Sequence, residues 1–479
     1  MTRCGTWFTV LVVGTAPICA QASEARRAIA REEIRSLLQR LDEALAHRDV
    51  REYGAAFAPD HPGAHAIRMK QLEQLFVDGT RVTQESTIAG DPRTVGDRTI
   101  VRVEHRIRAE GCKNAPADKP AEHFREDTIL VVRRDAAGNV VPTLEVEVPT
   151  DGHATTNDVL RCPPCNYEFG GAPGWLCVPA LSERAPALEA ATFYFVGTDL
   201  ACDVSVQFDS KNRTAIEMAR HLGESLRKRE STAKLLDVTA WLPPAHRQEP
   251  PAGLEGARLE LSIGAEQAVL FVVTFGALHH TLFVRGLETS MRQRTKNVQD
   301  LLATYRVLDT NADRAKAIAT AFLAHTGGVV TGQAYHNERY GISLTGPDGW
   351  QVQQRSGSSL FRVVWESPRG SRLYLSGFGS PRRLGAWCPL SADDWVHNLC
   401  DANDLRLGED AATAWVEHKC GGRSRTYVCP PRGADAPNGP QREIFVLVQE
   451  DLLLVVDRII AAADDADVLE RAAKSLHVR

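Results

Sequence analysis

Two stretches, "NYEFGGAPGWLCV" (166–178) and "RYGISLTGPDGWQV" (339–352), share one pattern: a tyrosine, an apolar residue two positions on, a Gly/Pro turn, then Gly-Trp and a continuing strand. The likeness extends outward. "VTAWL" (238–242) answers to "ATAWV" (412–416), with 66 residues from Trp175 to Trp241 and 65 from Trp350 to Trp415. "QAVLFVVTFGALHHTLFVRG" (267–286) and "QREIFVLVQEDLLLVVDR" (441–458) each read as strand, turn, strand. "TKNVQDLLATYRVL" and "DADVLERAAKSLHV" then close each unit with a helical period. Matched order and spacing over about 140 residues describe a tandem duplication of one domain.

Each unit reads as a strand hairpin, more strands, a helix (near 213–229 and 391–402), further strands and a last helix. This layout resembles the PsbP-like α-β-α sandwich, and "YGISLTGPDGW" is similar to that family's opening "GFSL-x-x-P-x-GW". The resemblance covers about 163–310 and 335–479, more clearly the second, because the Tyr-to-Trp loop is two residues shorter in the first. It implies a fold more than an activity, since the family is mostly non-enzymatic. On this parsing Trp175 and Trp350 are core anchors, and "CPPC" (162–165) is an addition at the domain junction. The connector near 311–334 is expected to be short and partly helical, extending the preceding domain's last helix and stopping at Gly327-Gly328.

The N-terminal third reads differently. Ile34, Leu37, Leu38, Leu41 and Leu45 form one apolar helical stripe; Val50, Tyr53 and Phe57 form a second piece, stopped by Pro59; a third spans 65–77. The period then changes to two in "TRVTQESTI", "RTIVRVEHRIRAE", "HFREDTILVVRRD" and "VVPTLEVEV", with Asp135 to Asn139 as a hairpin turn. Three helices before a curved antiparallel sheet resemble the nuclear transport factor 2-like, or SnoaL-like, fold, and "LLQRLDEALAHRDVREYGAAFAPD" looks like that family's start. The resemblance covers about 28–150 and implies a cone whose interior can hold proton-moving groups. The candidates are Tyr53, His105, Asp127 and Glu145. The plainer reading puts the strand residues on a solvated outer face, with Glu104, Arg106, Arg125 and Glu147 as a cross-strand charge ladder.

The whole chain has 479 residues, 43% apolar and 24% charged, an ordinary globular balance for several domains. Acidic residues outnumber basic ones, 61 to 56, which gives no electrostatic case for nucleic acid. Residues 1–22 read as an export signal: Arg3, the apolar run "WFTVLVVGTAPI" and Ala20-Gln21-Ala22 as cleavage site. The run is too short to span a bilayer, and Cys19 leaves a lipid anchor as a minor alternative. The expected location is periplasmic or extracellular.

Export makes disulfides the default for cysteines. Cys112, Cys162, Cys165, Cys177, Cys202, Cys388, Cys400, Cys420 and Cys429 remain after cleavage, an odd number. Cys177 and Cys202 are expected within bridging reach, and Cys162 and Cys165 either pair with each other or reach Cys112. A zinc knuckle has only half its CxxC set here, and a redox role lacks the helix N-terminus that stabilises a thiolate. His279 and His280, adjacent on a strand, point to opposite faces and cannot chelate together. His397 and Cys400 lack a third ligand. No metal and no cofactor are expected, and no G-x-S-x-G, H-E-x-x-H, phosphate-loop or dinucleotide motif occurs.

These readings converge on an exported α+β protein: a cone-like curved antiparallel sheet with helices, then two tandem α-β-α sandwich domains. The leading functional expectation is a non-catalytic binding or assembly protein of a bacterial envelope or secretome, with a small apolar ligand or a protein as partner. The alternative is an isomerase- or lyase-like enzyme using the cone of the first domain.

Overall fold

The computed structural model describes residues 29–76, 81–110, 121–148, 158–180, 187–209, 212–354, 360–379, 413, 416–417, 423–429, 441–448 and 452–478. It is an α+β protein built mostly from antiparallel sheet. The export signal, Cys112, Cys388, Cys400, Cys420, His397 and the helix expected at 391–402 lie outside the described residues.

The first unit opens with α1 (Arg31–Ala46), whose apolar stripe Ile34, Leu37, Leu38, Leu41 and Leu45 is buried, as the spacing predicts. Arg48, at a positive φ of 62°, breaks the helix. Asp49 then caps α2 (Val50–Ala55) by accepting from the Glu52 amide at 2.7 Å, and Pro62 opens α3 (Pro62–Leu75). Four strands follow as a meander, β1 (Arg81–Val95), β2 (Arg98–Glu110), β3 (Ala121–Arg134) and β4 (Val140–Val148), ordered β1-β2-β3-β4. Asp135 fastens the β3–β4 turn by accepting from the Ala137 and Asn139 amides. One sheet face packs Val82, Val103, Ile107 and Leu130 against the α1 stripe.

Both later units contain a seven-stranded sheet. In the first, the strands are β7 (Trp175–Ala180), β8 (Ala187–Phe195), β9 (Ala201–Phe208), β10 (Ala233–Ala240), β11 (Glu255–Ile263), β12 (Glu266–Phe275) and β13 (Leu278–Leu287). In the second they are β18 (Gln351–Gln354), β19 (Phe361–Glu366), β20 (Arg372–Gly379), β21 (Val416–Glu417), β22 (Arg423–Cys429), β23 (Gln441–Val448) and β24 (Leu452–Ile460). Their orders, β7-β8-β9-β13-β12-β11-β10 and β18-β19-β20-β24-β23-β22-β21, are the same order. The small sheets agree too. β5 (Val159–Cys162), β6 (Tyr167–Gly170) and β14 (Arg306–Val307) answer to β16 (Ala334–Asn337), β17 (Ile342–Thr345) and β25 (His477–Val478). The second unit adds β15 (Val329–Thr331) at its edge.

This register corrects two expectations. Tyr167 pairs with Val307 as Ile342 pairs with Val478, so the equivalent of Tyr167 is Ile342, not Tyr340. Each precedes its tryptophan by the same eight residues, and the apparent loop difference disappears. Nor is "CPPC" an addition. Cys162 pairs with Tyr167 as Asn337 pairs with Ile342, so Cys162 to Asn166 form the turn that Asn337 to Gly341 form in the second unit. Asn166 (φ 60°) and Gly341 (φ 63°) both hold the left-handed position that ends it. The shared Gly-Trp has the same origin: Gly174 and Gly349 sit at φ 83° and 77° before the buried Trp175 and Trp350.

α4 (Ala215–Arg229), capped by Thr214 and Glu217, covers one face of the first seven-stranded sheet through Ala215, Met218 and Ala219 on Leu259, Leu261 and Val272. The other face is covered by the small sheet and by α6 (Thr295–Leu302), which follows the short α5 (Glu288–Gln293). The connector forms α7 (Ala312–Gly327), stopped at Gly328. α7 is a separate helix, not an extension of α6, because β14 intervenes; its Ala315, Ala319 and Phe322 join the preceding core. α8 (Ala466–Lys474) closes the second unit with Leu469 and Ala472.

The outer face of the first sheet is not all solvent. Ile100, Val131, Leu144 and Val148 pack against Leu176 and Val178 of β7. His61 is buried at the same junction, 3.2 Å from the Phe195 carbonyl and edge-on to Tyr194.

Candidate functional site

Three of the four candidate residues of the first unit converge between α1–α3 and the sheet. Tyr53 reaches in from α2 and donates its hydroxyl to Glu145 of β4 at 2.6 Å. His105 of β2 lies with its Nε2 3.7 Å from the same carboxylate. All three are at least 97% buried, so the solvated-face reading fails for His105 and Glu145. Strand parity explains this: Val103, His105 and Ile107 share the helix-facing side, while Glu104, Arg106 and Arg108 take the other. Asp127 does not join them. It is also buried, but between Glu126 and Thr128 it projects to the opposite face and pairs with Arg102 at 2.6 Å and Arg125 at 3.4 Å. The charge ladder holds for Glu104, Arg106 and Arg125; Glu147 leaves it, because parity puts it beside Glu145 on the inner face.

The structure adds partners that strand alternation alone does not single out. Arg68 of α3, 3% exposed, lies 2.6 Å from Glu126 and 2.9 Å from Glu145. Its only sequence signal is spacing: Arg68 stands four residues before the buried Leu72, on a helix with no clear apolar face. Ser86 of β1 is 2.7 Å from His105 Nδ1 and donates to Asp42 at 2.5 Å. Thr128 is 2.8 Å from His105 Nε2.

These distances fix the imidazole tautomer. Ser86 has one hydroxyl proton and gives it to Asp42, so it accepts from His105 Nδ1–H. Neutral His105 then presents the Nε2 lone pair to the Thr128 hydroxyl. Burial pulls the His105 pKa below its ordinary value, against the pull of Glu145 and Glu126. Burial would push Glu145 up, but Arg68, His105 and Tyr53 outweigh it and hold the carboxyl below the usual range. Tyr53 is pushed well above its ordinary value by burial and by Glu145. Glu147 is pushed up to about 8 by burial and by neighbouring Glu126, Arg68 opposing. The cluster therefore holds Arg68 as a cation, Glu145 as an anion and His105 as a neutral base.

The space between them is small. Leu38, Leu41, Val103 and Leu130 with Tyr53, His105, Thr128 and Glu145 line a gap that admits no water-sized sphere. Tyr53 and Arg68 spend hydrogen bonds on Glu145, His105 spends its two on Ser86 and Thr128, and Arg68 Nε and Glu147 Oε2 are buried without a hydrogen-bond partner.

Elsewhere, Cys162 and Cys165 form a disulfide with Cα atoms 5.2 Å apart. The expected Cys177–Cys202 bridge is absent; both are buried free thiols. Cys177 pairs with Phe193, and Phe193 pairs with Cys202, so a whole strand separates them. Two strand spacings of about 4.8 Å exceed the reach of a disulfide. Cys429 ends β22. His279 and His280 point to opposite faces as expected, His279 to Thr274 (2.7 Å) and Asp209 (3.5 Å), His280 to Tyr305 and the Cys165 carbonyl. Among the described residues no helix is long and apolar enough to cross a membrane.

The fold and site define an α+β protein with a closed internal polar cluster, followed by two seven-stranded units. No family model matches the chain, and no curated relative matches it. Solved structures resemble parts of it, among them three from different proteins. Cyanobacterial PsbP from Synechocystis sp. PCC 6803 is 14% identical over 33% of this chain and 96% of its own, with a TM-score of 0.25. ActVI-ORFA from Streptomyces coelicolor is 17% identical over 24% and 95%, with a TM-score of 0.20. The immunity protein TplEi of T6SS from Pseudomonas aeruginosa is 11% identical over 64% and 97%, with a TM-score of 0.22.

Proposed function

We propose that the chain is an exported, non-catalytic binding or assembly protein of a bacterial envelope or secretome. In this reading a cone-like, nuclear transport factor 2-like domain at 28–150 precedes two PsbP-like sandwich domains at 163–310 and 335–479, and the partner is a protein. The observation that supports it is the closed cluster: Tyr53 and Arg68 both bond to Glu145, His105 is held by Ser86 and Thr128, and the gap that Tyr53, His105 and Glu145 line has no room for water, let alone a substrate. Such a network fixes helix packing against the sheet and specifies one core arrangement.

A second reading, a proton-moving enzyme, is favoured by one observation. A neutral histidine and an ionised carboxylate 3.7 Å apart in apolar surroundings are the parts such chemistry needs. Calorimetry of the full chain carrying Glu145→Gln separates the two. The binding reading expects the first domain to lose about 2–3 kcal/mol, because Arg68 and Tyr53 each lose a hydrogen bond to a buried charge. Unchanged or increased stability, the usual mark of a residue kept for catalysis at the expense of stability, overturns it.

A further inference from the structure

The Cys162–Cys165 turn is the seat of the connector helix. α7 packs directly on the short 3-10 turn Pro163–Cys165, and Ala315, Ala319 and Phe322 share one core with both cysteines. On its other side α7 lies against the β12–β13 turn so closely that a Cβ on Gly276 would sit 3.2 Å from the Ala315 carbonyl. Two side chains also hold the cysteine turn in place. His280 Nε2 lies 2.9 Å from the Cys165 carbonyl; a carbonyl only accepts, so Nε2 carries the proton and Nδ1 accepts from Tyr305. Asn166 clamps the segment that leads into α7, donating to the Asp309 carbonyl at 2.9 Å and accepting from its amide at 2.7 Å.

The second unit closes the same turn without sulfur. There Asn337 stands for Cys162 and Tyr340 for Cys165, and the Asn337 side chain accepts from the Tyr340 amide at 3.2 Å. Local folding of this turn therefore needs no covalent bond. The unit that has one is the unit whose turn carries α7 and, through it, the next domain. In the seated state both cysteines are at most 2% exposed.

From these relations we propose that Cys162 and Cys165 are the substrate pair of a thiol oxidant that acts before α7 docks, so that seating of the helix depends on the bond. The chemistry balances as thiol–disulfide exchange. One cysteine thiolate attacks the oxidant's disulfide and releases one oxidant thiol. The second cysteine thiolate then attacks the mixed disulfide, forms Cys162–Cys165 and releases the oxidant's second sulfur as a thiol, so the oxidant leaves fully reduced. Two protons and two electrons leave the protein. The oxidant is a protein or small-molecule disulfide of an oxidising compartment, and in this respect the inference rests on export.

The test uses trypsin, because Arg314 and Lys316 are exposed on the first turns of α7. Purified full-length Cys162→Ser/Cys165→Ser is compared with the native chain. The variant is expected to be cut after Arg314 or Lys316 about tenfold faster, the signature of local opening. Gly276→Ala, which crowds α7 while leaving the disulfide intact, is expected to be cut faster as well. Equal protection of the double-serine variant and the native chain overturns the proposal. So does reduction of Cys162–Cys165 in the folded native chain by dithiothreitol with α7 still protected. Isolation of the folded chain from cells with both thiols reduced and α7 protected overturns the proposal as well, whereas a chain found inside the cell with the bond formed would count against export alone.

Discussion

Tyr53 donates its hydroxyl to Glu145 across 92 residues of sequence, joining the second helix to the last strand of the first sheet at 2.6 Å. Both side chains are sealed from water, so the bond has no solvent substitute. Tyr53→Phe keeps the ring and its stacking on Phe57 but removes the donor. It should destabilise the first domain by about 1–2 kcal/mol. Urea unfolding of native and variant chains gives the number; a loss indistinguishable from zero would mean the bond does not form in solution.

Arg68 is a sharper case. Its guanidinium is the buried cation between Glu126 and Glu145, and Arg68→Met leaves two facing carboxylates to repel each other away from water. The expected loss is about 3–5 kcal/mol. Adding Glu126→Gln and Glu145→Gln should restore much of it, since the uncompensated charges then disappear. A triple variant no better than Arg68→Met would show that packing by the arginine stem, not charge, carries the loss.

The parts of this fold set by short-range periodicity were legible in sequence: the α1 stripe, the Asp135 turn, and the Gly-Trp pair at left-handed glycines. The duplication was legible because strand order is written in spacing. Register was not. Matching Tyr167 to Tyr340 looked natural, yet the partner strands Val307 and Val478 show that Ile342 is the equivalent. Composition misled because the identity of a buried residue is free to vary while its pairing partner is not. In the candidate site, Asp127 and Glu145 were equally plausible; parity sorted them only once Leu130 and Thr128 anchored the inner face of β3. The Cys177–Cys202 bridge failed for the same reason, an intervening strand that the sequence does not display.

Two buried histidines set an acid limit. Burial pulls His280 and His61 from 6.5 to about 4. Between those values the unfolded chain binds protons that the native chain refuses, so stability falls as pH drops from about 6.5 to about 4. For His280 the full effect is on the order of 3 kcal/mol. Glu147 acts in the opposite sense. Its carboxyl, pushed from 4.5 up to about 8, stays protonated in the native chain, and stability falls as pH rises through that window. Urea midpoints across pH 4–9 should flatten on the acid side in His280→Gln and on the alkaline side in Glu147→Gln. An unchanged profile in either variant would remove that group from the account.

The two glycines of "GPDGW" should respond differently to alanine. At Gly346 a Cβ would lie 2.1 Å from the indole of Trp365, which is fully buried and donates to the Gln333 carbonyl at 3.1 Å. Gly346→Ala must displace that ring, at a cost of about 2–3 kcal/mol. At Gly349 nothing lies within 4 Å, and only the φ of 77° resists a side chain. Gly349→Ala should cost about 1 kcal/mol. Reversal of this order in calorimetry would contradict the placement of Trp365.

Cys177 and Cys202 should behave as inert core residues. Burial pushes both thiols well above their ordinary pKa, Asp158 adding to the effect at Cys177 and Asp203 at Cys202. A thiolate is the reactive species, and neither site offers a cation or a helix N-terminus to stabilise one. Native full-length protein treated with a maleimide at pH 7.5 should leave both cysteines unlabelled, as read by peptide mass. The same treatment in concentrated denaturant should label both, because no disulfide protects them. Labelling of Cys177 or Cys202 in the native chain at the rate of a free thiol would show that the β7–β9 face opens readily. Failure to label them after unfolding would show that they are covalently blocked and restore the bridge that the strand spacing forbids.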